Sequence, residues 1–182
     1  MRVGTFLVVC VLLFVSCEEK RVAIGGLPFQ ITRGEEWGII GMNGEIKMIN
    51  AFAHRPSALV NERLSVPDDS GKYGLYSFFG ELKSVSPKSF TTIGYFFEEV
   101  TLAQEKKPLL VVNKFGEKVA IVDNYQGHEI LMAHNFEEGL ALVYTNSGKY
   151  GYVDTRGEMV IKPVYDYAVD FSEGLAVVGV AD

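Results

Sequence analysis

Two cysteines, six prolines and one tryptophan are all that this 182-residue chain holds of those types. Both cysteines, Cys10 and Cys17, lie in the first seventeen residues, so no disulfide framework can staple the remainder. The same scarcity leaves no paired-cysteine zinc pattern. Basic residues are outnumbered, 17 Lys and Arg against 23 Asp and Glu, for a net charge of -6. The densest basic spot, Lys106-Lys107, directly follows Glu105, so a nucleic-acid partner, which needs a basic stripe, is excluded on charge. Long hydrophobic runs are missing as well. The apolar run Thr5 to Val15 is eleven residues, short of the about 20 that a spanning helix requires.

Glycine and aromatics are abundant: 19 Gly, 12 Phe and 9 Tyr. With 48% hydrophobic residues the chain can bury a core, and its length suits one ordinary domain. Short β-branched and aromatic segments punctuated by Gly predict strands joined by tight turns.

Residues 1–17 form an address. One positive charge, Arg2, precedes the apolar run and a small residue, Ser16, follows it, the layout of a secretory signal. Phe14-Val15-Ser16-Cys17 resembles the lipobox of bacterial lipoproteins. That resemblance implies cleavage before Cys17, lipid on its sulfur and an envelope location. Residues 1–16 are then a signal peptide, 17–33 a lipidated cysteine, tether and entry strand, and 34–182 the folded domain. Loss of Arg2 leaves 16 basic against 23 acidic side chains, or -7. Glu18-Glu19-Lys20 resembles surface-export signals of some Gram-negative lipoproteins and equally suits a polar tether.

A phrase recurs through that domain. Tyr150-Gly151-Tyr152-Val153-Asp154 runs through a Gly157 turn into an apolar segment with Pro163, then into Phe171-Ser172-Glu173-Gly174-Leu175-Ala176. Trp37-Gly38 and Tyr73-Gly74 open earlier copies, and Val119-Ala120 is taken to open a degraded one, at spacings of 36, 46 and 31 residues. Phe136-Glu137-Glu138-Gly139-Leu140 repeats the second half, with Phe97-Glu98-Glu99-Val100 a partial copy and Val60 to Val66 a drifted one. Asn43-Gly44 is a hairpin signal. On a strand the small second residue points away from its aromatic neighbour, so a close packing partner, most simply an aromatic, is expected over it.

These residues resemble the WG-repeat family of bacterial proteins over about Gly34 to Val178. The resemblance implies an array of antiparallel β units and no general activity. The expected fold is mainly β: about four tandem three-stranded meanders stacked in a curved array, open or propeller-like, with each core shared between neighbours.

Candidate chemistry is thin. His54, His128 and His134 have no zinc-type spacing, and no metal or cofactor is expected. Glu98-Glu99 and Glu137-Glu138 could be paired carboxylates, but they fall at the repeat's turn, where a carboxylate accepts backbone amides. Asp123, Asp154 and Ser77 occupy pre-turn positions. Ser147-Gly148-Lys149 lacks phosphate-loop spacing, and no residues are assigned to catalysis. Tyr144, Tyr150, Tyr152, Tyr165 and Tyr167 are expected mostly in the core. The reading is therefore a non-enzymatic binding or scaffold protein of the envelope, facing protein, peptide or glycan. The alternative is an envelope hydrolase using carboxylates in a pocket between repeats.

Overall fold

A computed structural model describes residues 24–32, 34 and 36–181. The signal segment and Cys17 lie outside these residues. Every element among them is a strand. The first sheet contains β1 (Ile24–Phe29), β2 (Trp37–Ile40), β3 (Ile46–Phe52), β4 (Leu59–Val60), β5 (Arg63–Pro67), β6 (Tyr73–Phe78) and β7 (Leu82–Phe90), in the order β3-β2-β1-β4-β5-β6-β7. The second holds β8 (Thr92–Ile93), β9 (Val100–Gln104), β10 (Leu110–Asn113) and β11 (Lys118–Ile121), and every pairing in it is antiparallel. The third holds β12 (Asn124–Tyr125), β13 (His128–Glu137), β14 (Leu140–Thr145), β15 (Tyr150–Asp154) and β16 (Met159–Tyr165). A last hairpin pairs β17 (Tyr167–Ala168) with β18 (Val178–Gly179).

Four meanders stand out: β1-β2-β3, β5-β6-β7, β9-β10-β11 and β14-β15-β16. β1 belongs to the first of them, so the repeats begin by Ile24, inside the segment expected to be tether and entry strand. The meander is shifted by one strand from the sequence phrase. Leu140–Thr145 pairs with the Tyr-Gly strand that follows it, from Leu140↔Asp154 to Tyr144↔Tyr150. The segment after the Phe136-Glu137-Glu138-Gly139 turn, β14, therefore opens a meander instead of finishing one.

Two turn types alternate. At Asp154 the backbone N–H donates to the Glu158 carbonyl and Gly157 N–H donates back to the Asp154 carbonyl, both at 2.9 Å. The Asp154 carboxylate accepts the Arg156 and Glu158 amides at 2.9 Å each. Burial alone would raise this carboxyl, but those amides and the Arg156 guanidinium outweigh it and hold it below the ordinary range. The same five-residue turn forms at Asp68–Lys72 and Asn113–Glu117 with side-chain caps. The second type is the two-residue turn at Glu138-Gly139 and Glu173-Gly174, where both residues have positive φ, the geometry that matches strand twist.

The glycine of the five-residue turn has a second duty. A β-carbon on Gly157 would lie 2.7 Å from the Ala120 methyl on β11, and one on Gly116 would lie 2.6 Å from Ser86 Oγ on β7. At Gly157 and Gly116 the turn thus presses onto the last strand of the preceding meander, whereas Gly71 in the Asp68–Lys72 turn has open space around it.

Hydrophobic clusters straddle consecutive meanders. Ile39 and Phe52 join Leu59 and Leu64. Phe90 joins Ala103, Leu110 and Val112. Leu102 and Val111 join Phe136, Val143 and Val153. Leu142 and Tyr152 join Ala168 and Val178. Strand alternation does the sorting. On β14, Val143 faces backward and Leu142 forward; on β10, Val111 faces forward and Val112 backward. Each middle sheet therefore buries both faces, which explains runs such as Leu109-Leu110-Val111-Val112.

Tyr152, 1% exposed, anchors the last junction by donating its hydroxyl to the Val169 carbonyl at 2.7 Å. Burial, helped by Asp170 and Tyr165, pushes this phenol up to about 12 from 10.0. The folded state thus holds that proton more tightly than the unfolded chain does. Its contribution is complete below the unfolded value and lost as pH rises from about 10 towards about 12. Between about pH 9 and about pH 11 the melting temperature should fall more for the wild type than for Tyr152→Phe. Equal falls would contradict this role.

Candidate functional site

The paired aromatic and glycine positions lie on the strands β2, β6 and β15. On β2, Trp37 pairs with Phe52 and Ile39 with Met48, so residues 49–51 bulge opposite Gly38. A β-carbon on Gly38 would lie 2.3 Å from the Met48 carbonyl oxygen. On β15, Tyr150 pairs with Tyr165 and Tyr152 with Ile161. A β-carbon on Gly151 would meet the Ile161 carbonyl oxygen at 2.6 Å and the Pro163 nitrogen at 2.8 Å. At Gly151 a backbone bulge takes the place of the expected aromatic cover, while at Gly38 the bulge is joined by the expected aromatic, the Phe29 ring of β1 at 2.8 Å from a β-carbon there. At Gly74 the cover is aromatic, the ring of Tyr76 at 3.0 Å, although β7 also bulges there. Trp37 and Tyr73 are half-buried, and the Arg55 guanidinium sits 5.7 Å above the Trp37 ring.

Val119 and Ala120 do not open the third copy. They lie on β11, after the turn, and Val119 is 49% exposed. The turn Asn113–Glu117 matches Asp154–Glu158, so Leu109-Leu110 holds the opening place and Asn113, not Asp123, is the counterpart of Asp154. With Leu110 where Gly stands elsewhere, no bulge can pass over it. Leu110 pairs directly with Ile121, and β11 ends there.

Phe136 is fully buried beneath its turn, and Phe171 packs edge-on against Tyr152 with ring centroids 4.9 Å apart. Gly139 and Gly174 supply the positive φ of the two-residue turns. The Glu138 carboxylate accepts the Gly174 amide at 2.8 Å, so this turn glutamate ties one repeat to the next. At the equivalent turn Asn61 donates its side-chain amide to the Phe96 carbonyl at 3.1 Å. His54 bonds Asp69 at 2.8 Å on the surface, and His128 is exposed. Among the described residues no group of three or more His, Cys, Asp and Glu is placed to hold a metal ion.

One place brings unlike chemistry together. A cleft of about 350 Å³ opens between the second and third sheets. Ile93, Leu102, Leu109 and Ala133 supply its hydrocarbon. Thr92, His134, Asn135, Glu137 and Asp170 supply its polar groups. His134 Nδ1 stands 3.0 Å from both Asp170 carboxylate oxygens, joining residues 36 positions apart. Glu137 faces the like charges of Asp170 and Glu138; burial first, then those charges, push its carboxyl above the ordinary range. Gly94 makes room for Asn135, whose side-chain oxygen would lie 2.1 Å from a β-carbon there.

The repeat explains this convergence. Pairing places Phe97, Glu137 and Ser172 at one position just before the two-residue turn. Two residues earlier come Tyr95, Asn135 and Asp170, preceded by Gly94, His134 and Val169. The cleft thus collects equivalent positions from three successive repeats. His134, on which the sequence shows no metal spacing, is exposed where it lines the cleft, and sequence reading passes over Asn135 and Asp170. The available signal was a polar residue directly before both Phe136 and Phe171.

Fold and register define a tandem β-meander repeat protein. Within it, residues 150–180, from β15 to just past β18, match a family model described as WG containing repeat. No curated protein and no solved structure matches the chain.

Proposed function

We propose that this chain is a non-catalytic binding protein of the cell envelope, held to the membrane by lipid on Cys17, with the cleft as its ligand site. The anchor is supported by the sequence pattern of residues 1–17. Binding is supported by one observation above all: three repeats converge on a cleft whose volume falls within the range of small-ligand sites. The ligand is a small molecule or an exposed group of a protein, peptide or glycan.

The hydrolase alternative draws on the His134–Asp170 pair beside Glu137. Hydrolysis also needs groups that stabilise negative charge developing on the substrate. Among the described residues no Lys or Arg lines the cleft, while two carboxylates do. That balance suits holding a ligand better than stabilising an oxyanion.

A single bait experiment tests both parts. Cys17→Ser should move the chain from membrane to soluble fractions, and continued membrane association would refute the anchor. An envelope component retained by the soluble chain should be lost when Thr92→Arg fills the cleft mouth. Thr92 is exposed on the short strand β8, so the substitution leaves the core alone. Identical retention would remove the cleft as the site.

A further inference from the structure

We propose that the cleft receives a protonated amine carried on an aliphatic stem, such as a lysine side chain of a peptide or a free polyamine. This rests on the cleft being the ligand site and adds the chemistry of what fills it. A ligand amine needs acceptors for its N–H groups and hydrocarbon for its methylenes.

Both are present and separate. Ile93, Leu102, Leu109 and Ala133 give an apolar wall without hydrogen-bonding side chains. The Glu137 carboxylate has no hydrogen bond or ion pair among the described residues, although it lines the cleft. Such a half-buried acceptor is strongly improved by a charged donor. The basic side chain in the lining, His134, is already turned through Nδ1 to Asp170. Among the described residues no Lys or Arg lines the cleft to supply the missing counter-charge from within.

The geometry also argues against an anion. Glu137 and Asp170 would repel it, and Glu138 adds a third negative charge nearby. A neutral polyol would leave that charge uncompensated. The site is particular to this junction. In the third repeat the counterparts of His134 and Asn135 are Gly94 and Tyr95, and Gly94 opens the space that Asn135 enters.

The test is calorimetric titration of the full chain with 1,4-diaminobutane, its neutral isostere 1,4-butanediol, spermidine and the peptide Gly-Lys-Gly. The diamine should bind and the diol should not. Glu137→Gln should weaken the diamine by about tenfold. Thr92→Arg should abolish it by placing a tethered guanidinium in the cleft, and the side-chain resonances of His134 should shift on binding to the wild type. Tighter binding of spermidine points to a free polyamine, and tighter binding of the peptide to a lysine side chain; either supports the proposal. Melting curves confirm that both variants are folded. Equal binding of diol and diamine, or an affinity for Glu137→Gln within about twofold of wild type, overturns the amine while leaving a binding cleft in place. Absence of binding by every amine probe also overturns it, and the bait experiment above then judges the cleft independently.

Discussion

Gly151→Ala destabilises the fold by about 3 kcal/mol, at the top of the range for overpacking. The added methyl points into backbone, not into a side chain that could swing aside. Its nearest atoms would be the Ile161 carbonyl oxygen, the Pro163 nitrogen and the Lys162 carbonyl carbon, the farthest at 3.0 Å. Relief requires flattening the bulge in β16, which would slip the register that places Ile161 opposite Tyr152. Both residues sit in the last inter-repeat cluster, so the damage spreads beyond the strand pair. Gly44→Ala is the control. Gly44 has φ +82 and open space around it, so only the left-handed penalty of about 1 kcal/mol applies. Chemical denaturation of both variants reads the difference. Similar losses at the two glycines would show that the bulge tolerates a side chain and that Gly151 is needed only for a turn-like reason.

Phe136→Ala costs about 3–5 kcal/mol, the usual range for deleting a buried ring. Phe136 is 0% exposed and belongs to the cluster that includes Leu102 and Val111 of the preceding meander and Val143 and Val153 of its own. Its removal empties space on both sides of one junction. Trp37, the chain's single tryptophan, is half-buried at the rim of its cluster. Its truncation should cost less than that of Phe136. Thermal or urea unfolding orders the two variants, and a larger loss at Trp37 would contradict this reading of the core.

Much of the architecture was legible because the repeat writes its turns in residues that have few other uses. Gly44, Gly157 and the Glu138-Gly139 and Glu173-Gly174 pairs adopt positive φ, and each lies at a turn. The alternating aromatic and small residue was legible as a strand facing a close neighbour. What hid the neighbour is that a backbone bulge leaves no residue-type signature on the opposite strand. The third copy was misread for a related reason. Val119-Ala120-Ile121-Val122-Asp123 imitates the strand phrase, while the true opening, Leu109-Leu110, has lost its glycine and with it the bulge. Turn chemistry at Asn113–Glu117 kept the register that strand chemistry had lost.

The cleft was less legible than the fold. His134 and Asp170 are 36 residues apart, and only stacking of successive repeats makes them neighbours. Single-repeat alignment shows conserved geometry at turns and cores, and the cleft residues are where the copies differ. Gly94, His134 and Val169 share one position but not one chemistry, so the junction acquires a character that no single unit carries.

The central claim is that neighbouring meanders complete each other's cores and therefore unfold together. Native-state amide exchange in Phe136→Ala tests it most directly. Protection of Val111 and Val112 on β10 should fall in step with that of Val143 and Val153, because the lost ring served both sheets. Protection lost on β14 and β15 but unchanged on β10 would show self-sufficient units merely touching, and would contradict the account.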